Sequence, residues 1–327
     1  MLRIGVIGLG AIGREHLGIY RALPGVQVTA VADFQKDLAN SLAVSDEKAF
    51  GSATELLASG LVDAVSLCTP DHLHYRDAIE VIDSGTHLLL EKPISTSVDE
   101  ADDLVERSEA SDLVVMPGHT LRFMDRYIAA RALFASGELG GLIHGYARRN
   151  NKVSVAERVA GRTTPTFFLG IHDIDAIAWI TGERIVEVQG MTTTQRTPDG
   201  LQPVATQATL RMSNGAIFQL EAAWGLPNAF PTDIDARLRI VGADGELSID
   251  IHDHGMRAFS DRLTYPVPAA FDVYEVPTGA LYNELNAFAR SVERHTPPPI
   301  SMREAADAVR VATAIDRAIV SGNIEKV

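Results

Sequence analysis

Short apolar runs alternate with helical segments along the first third of the chain. The runs cover residues 2–7, 26–32, 64–68, 86–90 and 113–116, and they contain few polar positions. A short run without polar alternation is typical of a strand that is buried on both faces. Because helical segments separate most of these runs, the pattern predicts a doubly wound parallel sheet with helices on both of its faces.

The hydrophobic pattern changes after about Met116. Between residues 185 and 250 strand-like stretches follow one another directly, and turn signals such as Ser213-Asn214-Gly215 join them. Strands that are joined by hairpin turns form an antiparallel sheet. We therefore predict two domains, residues 1–120 with the parallel sheet and residues 121–327 as an α+β domain with a mostly antiparallel sheet.

A glycine-rich loop joins the first predicted strand to the first predicted helix, and it reads Gly8-Leu9-Gly10-Ala11-Ile12-Gly13. Gly8 would permit the tight turn, Gly10 would let the backbone approach a pyrophosphate, and Gly13 would let the helix pack closely on the strand. The amides of Ala11 and Ile12 would then face the phosphates. A lone G-x-G-x-x-G is weak evidence, but its place between a strand and a helix indicates a dinucleotide site.

An acidic residue, Asp33, ends the second predicted strand twenty residues after Gly13. In Rossmann domains an acid at this position accepts hydrogen bonds from the adenosine ribose, and its charge repels a 2′-phosphate. Asp33 therefore favours NAD over NADP as the cofactor. Lys36 lies close enough to Asp33 to weaken this preference.

Two polar segments follow buried strands at the carboxyl edge of the predicted sheet, where such sheets bind their ligands. They read Thr69-Pro70-Asp71-His72-Leu73-His74 and Glu91-Lys92-Pro93. We expect seven of these residues to line the cofactor site: Thr69, Pro70, His72, His74, Glu91, Lys92 and Pro93.

Lys92 is a candidate proton donor or acceptor, because it directly follows a buried strand. Burial and the positive nicotinamide ring would both lower the pKa of its ammonium group toward the neutral range. An ordinary loop lysine in solvent is the alternative.

The central segment, residues 166–179, carries a histidine and two carboxylates among apolar residues, and it reads TFFLGIHDIDAIAW. Isoleucines recur at helical spacing and form a core stripe, which leaves His172 and Asp175 together on another face. These two side chains are too few for a metal site, and the spacing suggests no third ligand, so we predict no metal. His172 is therefore either a hydrogen-bonded core histidine or a catalytic group.

Composition narrows the class of partner. The net charge of −14 argues against nucleic acid, because binding to phosphates needs clustered Lys and Arg. No apolar run approaches the roughly 20 residues that span a bilayer, and the first residues form a strand pattern rather than an export signal. The single cysteine, Cys68, lies in an apolar run and fits a reducing compartment. We expect a cytoplasmic protein with a small-molecule ligand and neither a membrane nor a nucleic-acid partner.

These motifs resemble those of the Gfo/Idh/MocA oxidoreductases, the glucose–fructose oxidoreductase and inositol dehydrogenase group, and they occur in the same order. Gly118–Phe123, Gly170–Asp175 and Asn283–Phe288 extend the resemblance over nearly the whole chain. The resemblance implies a Rossmann domain followed by a domain with a large, mostly antiparallel sheet. It also implies NAD(P)-linked oxidation or reduction of a sugar, polyol or related hydroxyl compound, and assembly into a homodimer or homotetramer.

The resemblance also assigns roles to side chains. It implies that His172 acts with Lys92 at the reacting hydroxyl, where one of them takes up the proton in oxidation and returns it in reduction. Arg122 lies in a shared motif. Independently of the resemblance, alternation along a predicted strand sends Arg149 and Asn151 to one face and Arg148 and Asn150 to the other. One of these faces would contact substrate oxygens or an anionic group or, alternatively, would form a charged strand edge. The candidate substrate residues are Lys92, Arg122, Arg149, Phe168 and His172.

Phe168 departs from the family pattern. In the polyol-oxidising members an aspartate stands four residues before the histidine, one helical turn away, and helps to bind and polarise the substrate. A phenyl ring neither accepts a hydroxyl proton nor pairs with Lys92. We therefore expect a substrate with a more apolar face, or chemistry that relies on Lys92 and His172 alone.

The leading hypothesis is an NAD-dependent oxidoreductase that acts on a carbohydrate-like alcohol or ketone. One alternative is a glycosidase that keeps NAD bound and oxidises its substrate only transiently, with no net release of NADH. The other alternative, motivated by Phe168, is a non-catalytic NAD-binding sensor.

Overall fold

A computed structural model describes residues 1–159, 161–197, 200–253 and 277–327 of the chain. By their contacts the described residues divide into two compact units. The first unit contains residues 1–123 and 277–309, and the second contains residues 124–253 and 310–327.

Strands and helices alternate in the first unit. In chain order its first elements are β1 Leu2–Ile7, α1 Ala11–Ala22, β2 Val26–Ala32, α2 Lys36–Leu42, β3 Lys48–Phe50, α3 Ala53–Ala58, β4 Ala64–Leu67, α4 His74–Asp83, β5 His87–Glu91, α5 Val98–Ala110 and β6 Val115–Gly118. The six strands form one sheet in the order β3-β2-β1-β4-β5-β6, and every neighbouring pair is parallel. This strand order is that of a Rossmann domain, so the predicted fold class is confirmed.

The strands of this sheet are buried on both faces, as the short apolar runs predict. In β5, for example, Leu88, Leu89 and Leu90 have no solvent-exposed surface. Strand ends therefore carry the polar side chains, and the carboxyl ends of β1, β4 and β5 meet at one edge because the strands are parallel.

The second unit is built around a larger sheet. Its elements begin with α6 Asp125–Ala135, β7 Leu142–Lys152, α7 Val153–Val159, α8 Ile171–Thr181, β8 Ile185–Thr197, β9 Gly200–Met212, β10 Ile217–Leu226, β11 Ile234–Gly242 and β12 Glu246–Asp250. The chain then continues through α9 Ala280–Arg294, α10 Met302–Ser321 and β13 Glu325–Lys326. The sheet order is β12-β11-β7-β10-β9-β8-β13. Only β7 and β10 pair in parallel, and the other neighbours are antiparallel, which confirms the predicted mostly antiparallel sheet.

One face of the larger sheet carries α8, and we call it the inner face. Side chains on β7 alternate between the faces, so Arg149 reaches Asp173 of α8 whereas Arg148 donates to Asp235 of β11 on the opposite face. The inner face is tightly packed. The ring of Phe218 from β10 fills the space beside Gly145 of β7.

The helix α9 packs into the core of the first unit. Its Leu285, Phe288 and Val292 are buried in one cluster with Leu17 and Tyr20 of α1. The sequence prediction divides the chain once, after residue 120, and so assigns α9 to the second domain. The contacts correct this, because the apolar stripe of α9 is buried on the first unit.

Four short elements were not predicted from the sequence, namely α2, β3, α7 and β13. Each has two to seven residues, too few for its hydrophobic period to stand out. A 3₁₀ turn, Asp71–Leu73, precedes α4.

We expect Gly145→Ala to destabilise the second unit. A Cβ at this position would fall 2.1 Å from Cε1 of Phe218, whose ring is fully buried and cannot move aside. Overpacking of this kind typically costs about 1–3 kcal/mol. Urea unfolding measures the loss. Gly141→Ala is the control, because a Cβ there meets no atom within 4 Å, and an equal stability for both variants would contradict the prediction.

Candidate active site

The glycine loop has the geometry that each of its glycines predicts. Gly8 has a φ of +87°, and a Cβ there would lie 2.7 Å from backbone atoms of Cys68 and Thr69. A Cβ on Gly13 would lie 1.9 Å from the carbonyl oxygen of Gly8. A Cβ on Gly10, in contrast, meets nothing within 4 Å. Gly8 and Gly13 are therefore required by the fold itself, whereas Gly10 keeps open the space in front of α1.

The amino end of α1 faces this open space without a side-chain cap. The capping position is Gly10, and the bond from the Arg14 amide to the Gly10 carbonyl, at 3.2 Å, is the first of the helix. The amides of Ala11, Ile12 and Gly13 precede that bond and have no acceptor inside the helix. Together with the helix dipole they suit a phosphate group.

Asp33 is fixed next to the glycine loop. Its Oδ2 accepts the Leu9 amide at 2.8 Å, and its Oδ1 accepts the Gln35 amide at 2.9 Å. Each carboxylate oxygen keeps a lone pair for a further donor. The next residue, Phe34, is exposed over 83% of its surface although it is large and apolar. The sequence reasoning missed Phe34, whose only signal is an aromatic residue directly after the acid.

His74 joins the two polar segments at the carboxyl ends of β4 and β5. Its Nε2 lies 2.7 Å from the carbonyl oxygen of Thr69, and its Nδ1 lies 2.6 Å from that of Pro93. The imidazole ring of His74 therefore bridges the backbone of the two segments. Nearby, Oγ1 of Thr69 is buried and has no hydrogen-bond partner.

Glu91 is a buried carboxylate just before Lys92. Its Oε1 lies 3.2 Å from Nε2 of His16 on α1, and its Oε2 accepts the Lys92 amide at 3.2 Å. Burial would raise the pKa of Glu91, but the hydrogen bond and charge of His16 outweigh it, with the charges of Lys92 and His74 adding to the effect, so the pKa lies below its usual range. An ionised Glu91 therefore ties β5 to the helix that carries the glycine loop.

Lys92 itself lies half-buried at the carboxyl end of β5, and the Lys92–Pro93 peptide bond is cis. The first unit thus brings together the glycine loop, Thr69, His74 and the Glu91–Pro93 segment. Cys68 is part of this neighbourhood, but burial raises the pKa of its thiol well above the ordinary value, which disfavours a nucleophilic thiolate.

Two other predicted site residues, His72 and Arg122, lie next to carboxylates of the protein. His72 is exposed and lies 3.8 Å from the carboxylate of the neighbouring Asp71. Arg122 is buried and donates to Oε1 of Glu304 at 2.6 Å. Burial would raise the pKa of Glu304, and the hydrogen bond to Arg122 outweighs it, so the pKa is lowered. Because the Arg122 guanidinium donates to Glu304, fewer of its N–H groups remain for a substrate than its motif suggests.

In the second unit a single π-helical turn, Thr166–Gly170, leads into α8. Turns of this kind are often found at functional sites. Phe168 and His172 are partly exposed, whereas Leu169 and Ile171 next to them are buried. The two candidate residues are therefore presented together at the start of α8.

Arg149 forms a buried, bidentate ion pair with Asp173. Its Nε donates to Oδ2 at 2.8 Å and its Nη2 to Oδ1 at 3.0 Å. Burial would lower the pKa of Arg149, but the charge of Asp173 outweighs this and raises it. Burial raises the pKa of Asp173, with partial compensation by Arg149. The pair fastens α8 to β7, a role that the sequence did not indicate for either residue.

No group of three or more His, Cys, Asp or Glu side chains is arranged to hold a metal ion in the part of the chain that the structure describes. Among the same residues, no helix combines the length and the apolar character that crossing a bilayer requires.

The fold and the glycine loop define a two-unit protein whose first unit is a dinucleotide-binding Rossmann domain. Residues 2–119 match the family model described as an oxidoreductase family with an NAD-binding Rossmann fold, Gfo/Idh/MocA. Residues 127–248 match the Gfo/Idh/MocA C-terminal domain. The chain belongs to the Gfo/Idh/MocA family of oxidoreductases, as its motifs predict.

Several relatives have names that describe their activity. The chain is 26% identical over 263 residues, 77% of its length and 68% of the relative, to 2,7-anhydro-N-acetylneuraminate hydratase from Escherichia coli (strain K12). It is 28% identical over 261 residues, 76% of its length and 75% of the relative, to inositol 2-dehydrogenase 2 from Paenarthrobacter aurescens. Its fold is similar to that of scyllo-inositol dehydrogenase from Lactobacillus casei with bound NAD(H) and scyllo-inositol, with a TM-score of 0.82, 20% identity and coverage of 100% and 99% of the two chains.

The residues of the first unit fit the dinucleotide of this family. The open space at Gly10, the uncapped amides of α1 and the orphaned Thr69 hydroxyl are all features that a bound nucleotide would use. Asp33, already oriented by two amides, would receive the ribose hydroxyls.

We expect Arg149→Met to lower the free energy of unfolding by about 3–5 kcal/mol, because it leaves the buried carboxylate of Asp173 without a counter-charge. The double variant Arg149→Met/Asp173→Leu should lose much less than the two single variants together. Chemical denaturation of the two single variants and the double variant measures the coupling energy between Arg149 and Asp173.

The control for this prediction is Arg211→Met, which removes a half-exposed pair with Glu187 on the outer face of the sheet. Exposed pairs contribute about 0–1 kcal/mol. If Arg149→Met keeps full stability and only raises KM for a substrate, Arg149 binds substrate and does not fasten the fold.

Proposed function

We propose that the protein is an NAD-dependent oxidoreductase that transfers a hydride between the cofactor and a sugar, polyol or related hydroxy or keto compound. The observation that carries the proposal is the position of Lys92. It lies at the carboxyl end of β5, where Glu91 links the strand to α1 and His74 holds the carbonyl oxygen of Pro93. Membership of the family and the inositol-oxidising relatives support the same substrate class.

NAD, when bound, supplies the acceptor or donor of the hydride, and the chain supplies the groups that hold it. The uncapped amides of α1 bind the pyrophosphate, and Asp33 binds the ribose hydroxyls. Phe34, largely exposed beside Asp33, offers a flat apolar surface to the adenine. Thr69, through its unpaired hydroxyl, adds a hydrogen bond at the carboxyl end of β4.

Lys92 and His172 are the groups that move the proton. In oxidation one of them, in its neutral form, accepts the proton of the substrate hydroxyl at Nζ of Lys92 or at a ring nitrogen of His172. In reduction the same group starts protonated and donates. His74 and Glu91 position Lys92 for this task, because they fix the backbone on either side of it.

Phe168 sets this protein apart from the polyol-oxidising pattern. Its ring contacts that of Trp224 with centroids 6.1 Å apart. A phenyl ring contributes shape and apolar surface to the site, and the proton transfer is carried out by Lys92 and His172. The substrate therefore presents a C–H face to this side of the site.

A second candidate is a reaction in which the substrate is oxidised only transiently. It is favoured by the relative from Escherichia coli, which is named a hydratase rather than a dehydrogenase. Lys92 and His172 would perform the same proton transfers, but NADH would not accumulate. Product analysis without added NAD separates this candidate from a dehydrogenase.

We expect Lys92→Met to reduce turnover by at least about 100-fold, the usual contribution of a general acid or base. Methionine keeps most of the length of the side chain and removes the charge. NADH appearance is followed at 340 nm with myo-inositol, scyllo-inositol, D-xylose and D-glucose, and NADH binding is measured by fluorescence to show that the cofactor site is intact. Lys326→Met, on the exposed strand β13, is the control. An unchanged rate in Lys92→Met would remove Lys92 from the mechanism.

We expect Asp33→Asn to reduce the preference for NAD over NADP by about tenfold or more, equivalent to about 1.4 kcal/mol. The substitution removes the charge that repels a 2′-phosphate and keeps the shape of the side chain. Steady-state kcat/KM with each cofactor gives the ratio. Asp37→Asn removes the same charge from an exposed position on α2 and should leave the ratio unchanged. Equal use of NAD and NADP by the unmutated protein would contradict the assignment of Asp33.

A further inference from the structure

An irregularity in the larger sheet brings Asn151 and Trp224 side by side. The strands β7 and β10 are parallel, so their carboxyl ends lie at the same edge. Ala223 pairs with Asn150 and Leu226 pairs with Lys152. Trp224 and Gly225 of β10 therefore stand opposite the single residue Asn151 of β7, which is the geometry of a bulge.

Trp224 and Asn151 both belong to the inner face of this sheet. Trp224 packs in one cluster with Ala222, two residues before it, and with Leu169 of the π-helical turn. Asn151 follows Arg149 by two residues on β7, and Arg149 reaches α8 on the inner face. Trp224 thus packs against the turn that leads into α8, and Asn151 lies on the same face of the sheet.

Both side chains carry a buried polar atom without a partner. Trp224 is 4% exposed and Asn151 is 7% exposed, yet neither Nε1 of the indole nor Oδ1 of the amide has a hydrogen bond. Buried polar atoms are hydrogen-bonded in the large majority of cases, so the lack of a partner for these two atoms needs an explanation. One atom is a donor and the other an acceptor, which is what a hydroxyl group needs.

The surroundings of Trp224 are aromatic and apolar. The Trp224 ring meets that of Phe168 edge-on, at an interplanar angle of 62°, and Val155 and Ala156 of α7 pack against the same cluster. Phe168 precedes His172 by four residues, and both are partly exposed. An apolar pocket with a few placed polar groups is the usual form of a site for a small organic molecule.

The charges nearby along β7 indicate a neutral ligand. Arg149 is paired with Asp173, and Lys152 lies 3.1 Å from Asp233. The cations on either side of Asn151 are therefore already neutralised by protein carboxylates. A phosphate or carboxylate group would meet no unpaired charge from these two residues, whereas a hydroxyl needs none.

We propose that Trp224 and Asn151 form a substrate subsite with Phe168, and that it takes a hydroxylated ring which turns a C–H face to the aromatic pair. The indole N–H donates to a hydroxyl oxygen, and Oδ1 of Asn151 accepts from a hydroxyl. The substrate class is thus a cyclic polyol or pyranose with a less substituted face. This inference rests on the proposed function, because it takes the ligand of the subsite to be the substrate of that reaction.

The indole N–H of Trp224 gives a direct test by NMR. The chain has two tryptophans, and Trp179 lies under the guanidinium of Arg131 with 4.7 Å to the ring centroid. Indole ¹⁵N–¹H signals are recorded with NADH present, before and after addition of myo-inositol, scyllo-inositol or D-xylose, and Trp179→Phe assigns them. We expect the Trp224 signal to move and to exchange more slowly with solvent, whereas the Trp179 signal stays in place.

Steady-state kinetics provide a second test of the subsite. Trp224→Phe keeps an aromatic ring and removes the donor, and Asn151→Leu removes the acceptor with little change in size. Each should raise KM for the substrate about tenfold or more with a smaller change in kcat, because a site that hydrogen-bonds a hydroxyl loses affinity when one partner is removed. Trp179→Phe is the matched control and should leave both constants unchanged.

The outcomes separate this inference from the proposed function. If a compound is oxidised but neither moves the Trp224 signal nor depends on Trp224 and Asn151 for its KM, the subsite is overturned and the proposed function stands. If a polyol moves the Trp224 signal but no compound reduces NAD, the subsite is supported and the proposed function fails. A Trp224 signal that no probe moves at saturating concentration also overturns the subsite.

Discussion

The first unit depends on a buried negative charge, that of Glu91. A carboxylate taken out of water is tolerated only where positive groups and donors surround it. Nε2 of His16 on α1 lies 3.2 Å from Oε1 of Glu91, and the Lys92 amide donates to Oε2. The helix that follows the glycine loop and the strand that ends at Glu91 are therefore held by the same side chain. This contact fixes the glycine loop relative to the Glu91–Pro93 segment.

Features that depend on short stretches of chain could be predicted from the sequence. The glycine loop, the acid at Asp33 and the buried strands all follow from patterns within about twenty residues, and the structure confirms the parallel sheet that they predict. Pairs that join distant segments could not be predicted. Nothing in the local sequence shows that His16 faces Glu91 or that Arg149 faces Asp173. Arg149 is an example: its position on a polar strand predicts a substrate contact, and the structure shows a buried partner for its guanidinium that the local sequence does not predict.

The packing of α9 on the first unit could not be predicted for the same reason, because it joins segments that are distant in sequence. The apolar stripe of α9 predicts that the helix packs on some apolar surface, but the sequence pattern does not say which one. In the structure the stripe packs on the cluster around Tyr20. A division of the chain by position alone treats the units as consecutive. The contacts instead make the first unit from two separate segments, so its stability depends on residues that follow the second unit in sequence.

Register explains why the subsite at Asn151 and Trp224 is not visible in the sequence. A tryptophan at the end of one strand and an asparagine at the end of another meet only because β7 and β10 are the parallel pair in the larger sheet. Had these strands been antiparallel, like their neighbours, their carboxyl ends would lie at opposite edges. The bulge then adds one residue to β10 and places an indole opposite an amide. A donor and an acceptor buried without partners are costly in any fold. Their presence beside Phe168 is therefore best explained by a ligand hydroxyl, and it links the loss of the family aspartate to a different way of holding the substrate.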